Sequence, residues 1–91
     1  MVAVVVRESG EAERIQGSGD HLEANVLPPV KQVPGIVSGL FMSDEEGRTL
    51  NVLVFDSEEA AQAALAPIRN APRPGFLRFE GATLHKVLAR F

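Results

Sequence analysis

The first predicted strand is apolar on both of its faces, and this constrains the fold more than any other feature. In Val2-Ala3-Val4-Val5-Val6 every residue is apolar, although successive side chains of a strand point to opposite faces of a sheet. Residues 50–55 repeat the pattern with one polar exception, Asn51. A chain of 91 residues has helices enough for one face of a small sheet, so something else must cover the other face.

Composition excludes several classes of protein. With 45% hydrophobic and 23% charged residues, the chain is typical of a globular protein and not of a disordered one. A net charge of -3 and the lack of a basic run argue against nucleic-acid binding. No stretch approaches the roughly 20 apolar residues that span a bilayer, and the first apolar run lacks the flanks of a signal peptide. We expect a cytoplasmic protein with one domain, residues 1–91, and neither nucleic acid nor membrane as partner.

Metal and cofactor chemistry has little support in the sequence. The chain contains no cysteine, which excludes disulfides and cysteine-ligated zinc or iron–sulfur centres. Its two histidines, His21 and His85, lack carboxylates at metal-ligand spacing. We therefore expect no metal site and no cofactor.

A stripe of apolar residues at helical spacing follows the first strand: Ile15, Leu22, Val26, Val30 and Val33. Gly17 and Gly19 weaken the first half of this helix, because each costs roughly 1 kcal/mol relative to alanine. The helix therefore either runs from about residue 11 or begins again at Asp20, with Glu23 completing a capping box. We favour the longer helix.

Prolines and glycines divide the remaining chain. Pro28-Pro29 is expected to kink the first helix, and Pro34-Gly35 to end it. Residues 36–42 and 50–55, separated by a polar turn, predict an antiparallel hairpin. Asp56 is the expected cap of a second helix that ends near Asn70, and residues 76–91 predict a last strand with a bulge or break at Gly81.

The predicted order β-α-β-β-α-β indicates an α+β, ferredoxin-like fold. Right-handed crossovers then give a four-stranded antiparallel sheet with both helices on one face. The other face is expected to carry six apolar side chains and to pack against a second copy of the chain, forming a homodimer. The alternative is that residues 43–49 or the last strand fold back over this face. The six expected residues are Ala3, Val5, Val37, Leu53, Phe55 and Val87.

Two segments of the chain resemble a known superfamily. Residues 25–40 carry an LP pair, Leu27-Pro28, a turn at Pro34-Gly35 and small residues on the following strand. Together with residues 50–60 they resemble the helix-to-strand joint, the third strand and the second helix of dimeric α/β-barrel proteins. These are the antibiotic-biosynthesis-monooxygenase-like domains, including their uncharacterised bacterial branch. The resemblance implies two sheets that close into a barrel between subunits, with a ligand cavity beside each sheet.

The resemblance carries over no complete catalytic set. The superfamily's cofactor-free monooxygenases line their pocket with Asn, Trp, Tyr, His or Arg, and its haem degraders use His with Asn and Trp, whereas this chain has no Trp and no Tyr. Asn51 and His85 remain as catalytic candidates, joined by Arg78 as a candidate for ligand binding. Asn51 is either paired across the subunit interface or directed at a ligand. His85 either faces a cavity or is hydrogen-bonded on an edge strand, and Arg78 either holds an anion or lies on a solvated strand face.

The sequence is compatible with two functions. The first is a small homodimeric module that binds a hydrophobic ligand or serves a structural role. The alternative is a cofactor-independent monooxygenase-like enzyme acting on a hydrophobic aromatic substrate. A closed pocket that holds Asn51 or His85 among convergent polar groups favours the enzyme, and an interior filled with side chains favours the module.

Overall fold

The computed structural model describes residues 1–91 and shows a four-stranded antiparallel sheet with helices on one face. The strands are β1 (Val2–Gly10), β2 (Ile36–Ser43), β3 (Arg48–Phe55) and β4 (Leu77–Lys86), in the spatial order β2-β3-β1-β4. The helices are α1 (Ala12–Gln16), α2 (Gly19–His21), α3 (Leu27–Val30) and α4 (Glu58–Asn70). A π-helical turn, Leu22–Val26, joins α2 to α3. The predicted ferredoxin-like fold class is confirmed.

The pairing register decides which residues of the sheet face the helices. Val4 lies opposite Leu53 on β3 and Leu84 on β4, and all three are on the helix-facing side, here called the covered face. The other side is the open face. The core forms on the covered face from seven buried residues: Val4, Val6, Leu53, Phe55, Ala61, Ala64 and Ala82.

The expected composition of the open face is wrong in part. Leu53 and Phe55 were expected there, but both are buried on the covered face. Odd-numbered and even-numbered residues of β3 are both mostly apolar, so the pattern of hydrophobic residues does not distinguish the two faces of the strand. Ala3 and Val5 do lie on the open face, opposite Val54 and Val52 of β3.

Residues 12–30 form an interrupted helix rather than the continuous helix that we favoured. Gly17 and Ser18 separate α1 from α2, and the Ser18 hydroxyl donates to the carbonyl of Ile15 (2.6 Å). The alternative capping box at Asp20 is also wrong, since α2 begins one residue earlier, at Gly19. Before Pro28, the N–H of Leu27 donates to the carbonyl of Leu22, five residues back. Proline has no N–H and its ring crowds the preceding turn, which accounts for a widened turn at this point.

Two further boundaries differ from the prediction. The cap of α4 is Ser57 rather than Asp56, because the Ser57 hydroxyl accepts the N–H of Ala60 (3.1 Å). The last strand stops at Lys86 and does not reach residue 91, since β1 offers no partner beyond its own start. The N–H of Val87 makes the final bond, to the carbonyl of Met1 (3.1 Å). The predicted bulge is confirmed, because the β1–β4 register shifts at Gly81.

Asp44 organises the turn between β2 and β3. Its Oδ1 accepts the backbone N–H groups of Glu46 and Arg48 (both 2.9 Å), and its Oδ2 accepts Nε of Arg48 (2.8 Å). The hydrogen bond from the backbone of Arg48, helped by the Arg48 guanidinium, lowers the pKa of Asp44. Gly47 closes the turn at φ 85°, and its carbonyl accepts the N–H of Gly10 at the end of β1 (2.9 Å).

We predict that Gly47→Ala destabilises the protein by about 2 kcal/mol, because a Cβ there needs a left-handed backbone and meets the carbonyl oxygen of Gly10. Urea unfolding measures the change. Gly75→Ala is the matched control, since a Cβ at Gly75 meets nothing within 4 Å. Equal unfolding midpoints for the two variants would contradict the prediction.

Candidate functional site

A cavity of about 400 Å³ lies between the covered face and the interrupted helix. The sheet contributes Val6, Phe41 and Leu53, and the interrupted helix contributes Leu22, Val26 and Val30 at the predicted helical spacing. The loop of residues 71–76 closes one end. We call this space the sheet–helix cavity.

Two helical regions of the covered face, α4 and residues 19–30, differ in how closely they pack against the sheet. Ala61 and Ala64 of α4 are buried against the sheet, because small side chains permit close packing. In contrast, residues 19–30 contain no buried residue. The cavity lies between this less closely packed region and the sheet.

A buried polar network forms part of the lining of the sheet–helix cavity. Glu8 and Asn51 are each only 8% exposed, although both side chains are polar. Asn51 Nδ2 donates to Glu8 Oε1 (3.0 Å), and Arg73 Nε donates to Glu8 Oε2 (2.5 Å). Both carboxylate oxygens are therefore paired, and the charge of Glu8 is balanced by Arg73.

Arg73 is held by the last turn of α4 and by the loop that follows it. Its Nη1 donates to the carbonyl of Ala71 (3.0 Å) and its Nη2 to that of Ile68 (2.9 Å). The guanidinium lies over the ring of Phe79, 4.5 Å from the centroid. These contacts fix the guanidinium on three sides, so that the 71–76 loop is anchored to β1 through Glu8.

The amide of Asn51 has one orientation that satisfies its neighbour. An ionised carboxylate only accepts hydrogen bonds, so the NH₂ group must face Glu8 and the oxygen must point away. Asn51 Oδ1 has no hydrogen-bond partner within the chain. Every fully enclosed side-chain polar atom does have a partner, so Oδ1 itself is not fully enclosed. Asn51 itself is part of the cavity lining.

Polar side chains of the first helical region also line the cavity. His21 and Asn25 are hydrogen-bonded to each other on the exposed side of the interrupted helix (3.1 Å). Gln16 Nε2 donates to the carbonyl of Asp44 (3.1 Å), which leaves the Gln16 oxygen available. His21, Gln16 and Ser18 all contribute to the lining.

The structure does not bring the three predicted site residues together. Only Asn51 lines the sheet–helix cavity. His85 lies on the open face of the edge strand β4, where its Nε2 is hydrogen-bonded to Thr83 Oγ1 (2.7 Å). Arg78 is exposed on the same strand, opposite Ser9. A role for any of the three in catalysis or ligand binding stays a prediction.

Two residues of the site escaped the sequence analysis. Glu8 lies on the same face of β1 as Val4 and Val6. An acidic residue in line with core valines is the sequence feature that could have indicated a buried polar site. Arg73 lies between Pro72 and Pro74 in a segment that reads only as a stiff loop. Nothing in the sequence indicates that Arg73 and Glu8 meet.

No group of three or more His, Asp or Glu side chains is placed to hold a metal ion. None of the helices is both long enough and apolar enough to cross a membrane. The cytoplasmic location stays a prediction.

No protein-family profile matches the sequence, and no curated protein matches it. Solved structures do resemble the fold. A monooxygenase from the gene ActVA-Orf6 of Streptomyces coelicolor, in complex with the ligand nanaomycin D, superposes with a TM-score of 0.65 at 18% identity, over 99% of this chain and 89% of that one. A mutant of MhuD with two manganese protoporphyrin IX molecules per active site has a TM-score of 0.58 at 23% identity, over 100% and 98% of the two chains.

A dimeric ferredoxin-like protein from an uncultured marine organism is also similar, with a TM-score of 0.58 at 13% identity over 99% and 96% of the two chains. At these identities the likeness establishes the fold. The likeness confirms the ferredoxin-like fold of the subunit, in agreement with the resemblance noted in the sequence, whereas the bacterial branch stays a prediction.

Proposed function

We propose that this chain is a homodimeric ligand-binding protein that holds a small hydrophobic molecule in the sheet–helix cavity. The observation that carries the proposal is the cavity itself, a largely apolar space with a buried polar network in its lining. A purely structural module would fill this space with side chains. Small-molecule sites are typically concave, apolar and about 300–1,000 Å³ in volume, with few polar groups that orient the ligand.

The wall formed by residues 19–30 supports the same function. Leu22, Val26 and Val30 turn toward the cavity but are only half-buried. A bound apolar molecule would remove the remaining surface of these side chains from water, which contributes roughly 25 cal/mol per Å² of apolar surface. Ligand binding therefore completes the packing of this wall.

We predict that the neutral fluorescent probe N-phenyl-1-naphthylamine binds with one site per chain, and that Val26→Trp weakens its binding at least tenfold. The indole would occupy part of the sheet–helix cavity, which Val26 lines. Fluorescence titration measures the affinity.

Ala24→Trp is the matched control, because Ala24 lies on the same π-helical turn but is exposed and does not line the cavity. Its probe affinity should equal that of the wild type. If Val26→Trp bound the probe as tightly as Ala24→Trp, the ligand would lie elsewhere and the proposal would fail.

The proposed dimer forms through the open face. Leu40, Met42 and Leu50 are 61%, 40% and 39% exposed, and the register places them beside Val52 and Val5 on this face. Contiguous exposed apolar surface of this kind is typical of an interface. The dimeric ferredoxin-like protein of the same fold supports a second copy of the chain as the occupant.

We predict that Leu40→Lys shifts the protein from dimer to monomer, because burying an unpaired ammonium between two apolar sheets is costly. Light scattering coupled to size-exclusion chromatography gives the mass, and circular dichroism verifies folding. Gln62→Lys adds the same charge at an exposed position of α4 and should remain dimeric. A Leu40→Lys dimer as stable as the wild type would rule out this face as the interface.

A cofactor-independent monooxygenase is a second candidate function. It is favoured by the convergence of Asn51, Glu8 and Arg73 at one end of an apolar cavity, and by the similarity in fold to a monooxygenase in complex with a ligand. In this reaction class the aromatic substrate is the only reductant: a naphthalene hydroquinone and O₂ would give a hydroxynaphthoquinone and water, with one oxygen atom in each product. Asn51, whose Oδ1 has no partner within the chain, would orient the substrate hydroxyl.

Oxygen consumption with a naphthalene hydroquinone tests this second function. Enzymatic oxidation predicts uptake above the buffer rate, a loss of at least tenfold in Asn51→Leu, and no loss in His85→Ala, because His85 lies on the opposite side of the sheet. Uptake at the buffer rate in all three proteins would exclude oxygenation of this substrate class and leave ligand binding in place.

A further inference from the structure

We infer that residues 19–30 form a strap that opens away from the sheet as one unit, admits the ligand and closes over it. The inference rests on the proposed ligand-binding function and adds a conformational step to it. It follows from the way in which this segment is attached to the rest of the chain, which differs from the attachment of α4.

No polar contact joins the strap to the sheet or to α4. Its one side-chain hydrogen bond lies within it, between His21 and Asn25, and none of the ion pairs involves it. The backbone bonds at its two ends are local, from the N–H of Leu22 to the carbonyl of Ser18 (2.9 Å) and from the N–H of Lys31 to that of Leu27. Opening the strap therefore breaks no hydrogen bond to the sheet, and a broken bond is the larger cost of separating two packed elements.

The apolar contacts of the strap are weak at its beginning and firmer at its end. Leu22 and Val26 line the cavity, but they are only half-buried and do not pack against the core. Val30 does pack against the core, as does Val33 just after the strap. Lifting the first half of the strap exposes little apolar surface that is not already open. We therefore place the pivot at Val30 and the largest displacement near Leu22.

Both flanks of the strap are fixed, so that it moves between two anchors. Before it, Gln16 Nε2 donates to the carbonyl of Asp44. After it, the backbone of Gly35 lies so close to α4 that a Cβ there would meet Ala60. Residues 17–19, with two glycines, give the first anchor a flexible joint, because glycine has the widest choice of backbone conformations.

The helix α4 provides a comparison within the same chain. Ala61 and Ala64 are buried against the sheet, and Arg69 Nη2 donates to the carbonyl of Ala82 on β4 (3.3 Å). Opening α4 would uncover the core and break this bond, so the strap should open far more often than α4. A ligand that contacts Leu22 and Val26 stabilises the closed strap and shifts the population toward it.

Hydrogen exchange followed by mass spectrometry measures the opening. In the free protein, we expect protection factors for the amides of residues 22–27 about tenfold lower than for those of residues 61–66 in α4. Saturation with N-phenyl-1-naphthylamine should raise the protection of residues 22–27 about tenfold, because the ligand holds the strap closed.

Gly19→Ala tests the joint by kinetics. A Cβ at Gly19 meets nothing within 4 Å, so the substitution restricts the backbone without a clash. In stopped-flow fluorescence, association and dissociation of the probe should both slow about threefold, with nearly unchanged affinity, because the closed strap is favoured equally with and without ligand. Gly81→Ala makes the same change on β4, also without a contact within 4 Å, and should keep the wild-type rates.

The outcomes distinguish the strap from the function on which it rests. Equal protection of residues 22–27 and α4 in the free protein would overturn the strap and leave ligand binding in place. Probe binding that leaves the exchange of residues 22–27 unchanged, or wild-type rates in Gly19→Ala, would do the same. Absence of any probe binding would overturn the proposed function, and the closing of the strap over a ligand with it.

Discussion

The buried carboxylate of Glu8 is the constraint on which the cavity depends. It lies on the covered face of β1, in line with core valines, and such a charge persists only when its oxygens are paired. Asn51 pairs one oxygen from β3, and Arg73 pairs the other from the loop after α4. One carboxylate thus connects two strands and the loop that closes the cavity. Loss of either partner would leave a buried charge partly unpaired, which costs several kcal/mol in typical proteins.

Strand order and fold class could be predicted because they depend on local signals. The alternation of apolar runs with turn residues identifies most of the elements, but the first helical region already ends at Val30, before the predicted end at Pro34-Gly35. The parity of β3 could not be predicted, since Val52 and Val54 are as apolar as Leu53 and Phe55. Asn51, the polar residue of that strand, suggests the wrong buried face. It is buried because it is hydrogen-bonded to Glu8, a partner 43 positions away that the local sequence does not reveal.

The cavity could not be predicted from local sequence patterns either. The apolar stripe of the first helical region specifies which residues face the sheet, but not how far from the sheet they lie. That distance follows from the break after Gly17 and from the π-helical turn before Pro28-Pro29, where backbone hydrogen bonds change register. Arg73 was missed for a related reason, because its contacts join segments that are remote in sequence.

The cavity has two walls of different rigidity. On one side, hydrogen-bonded strands and the anchored Arg73 hold the polar atoms in fixed positions. On the other, residues 19–30 contribute half-buried side chains from a helix already broken at two points. In the proposed ligand complex, the sheet side would therefore keep its shape, whereas the side formed by residues 19–30 would adjust to the thickness of the apolar ligand. A series of hydrophobic molecules of different width would then share one site.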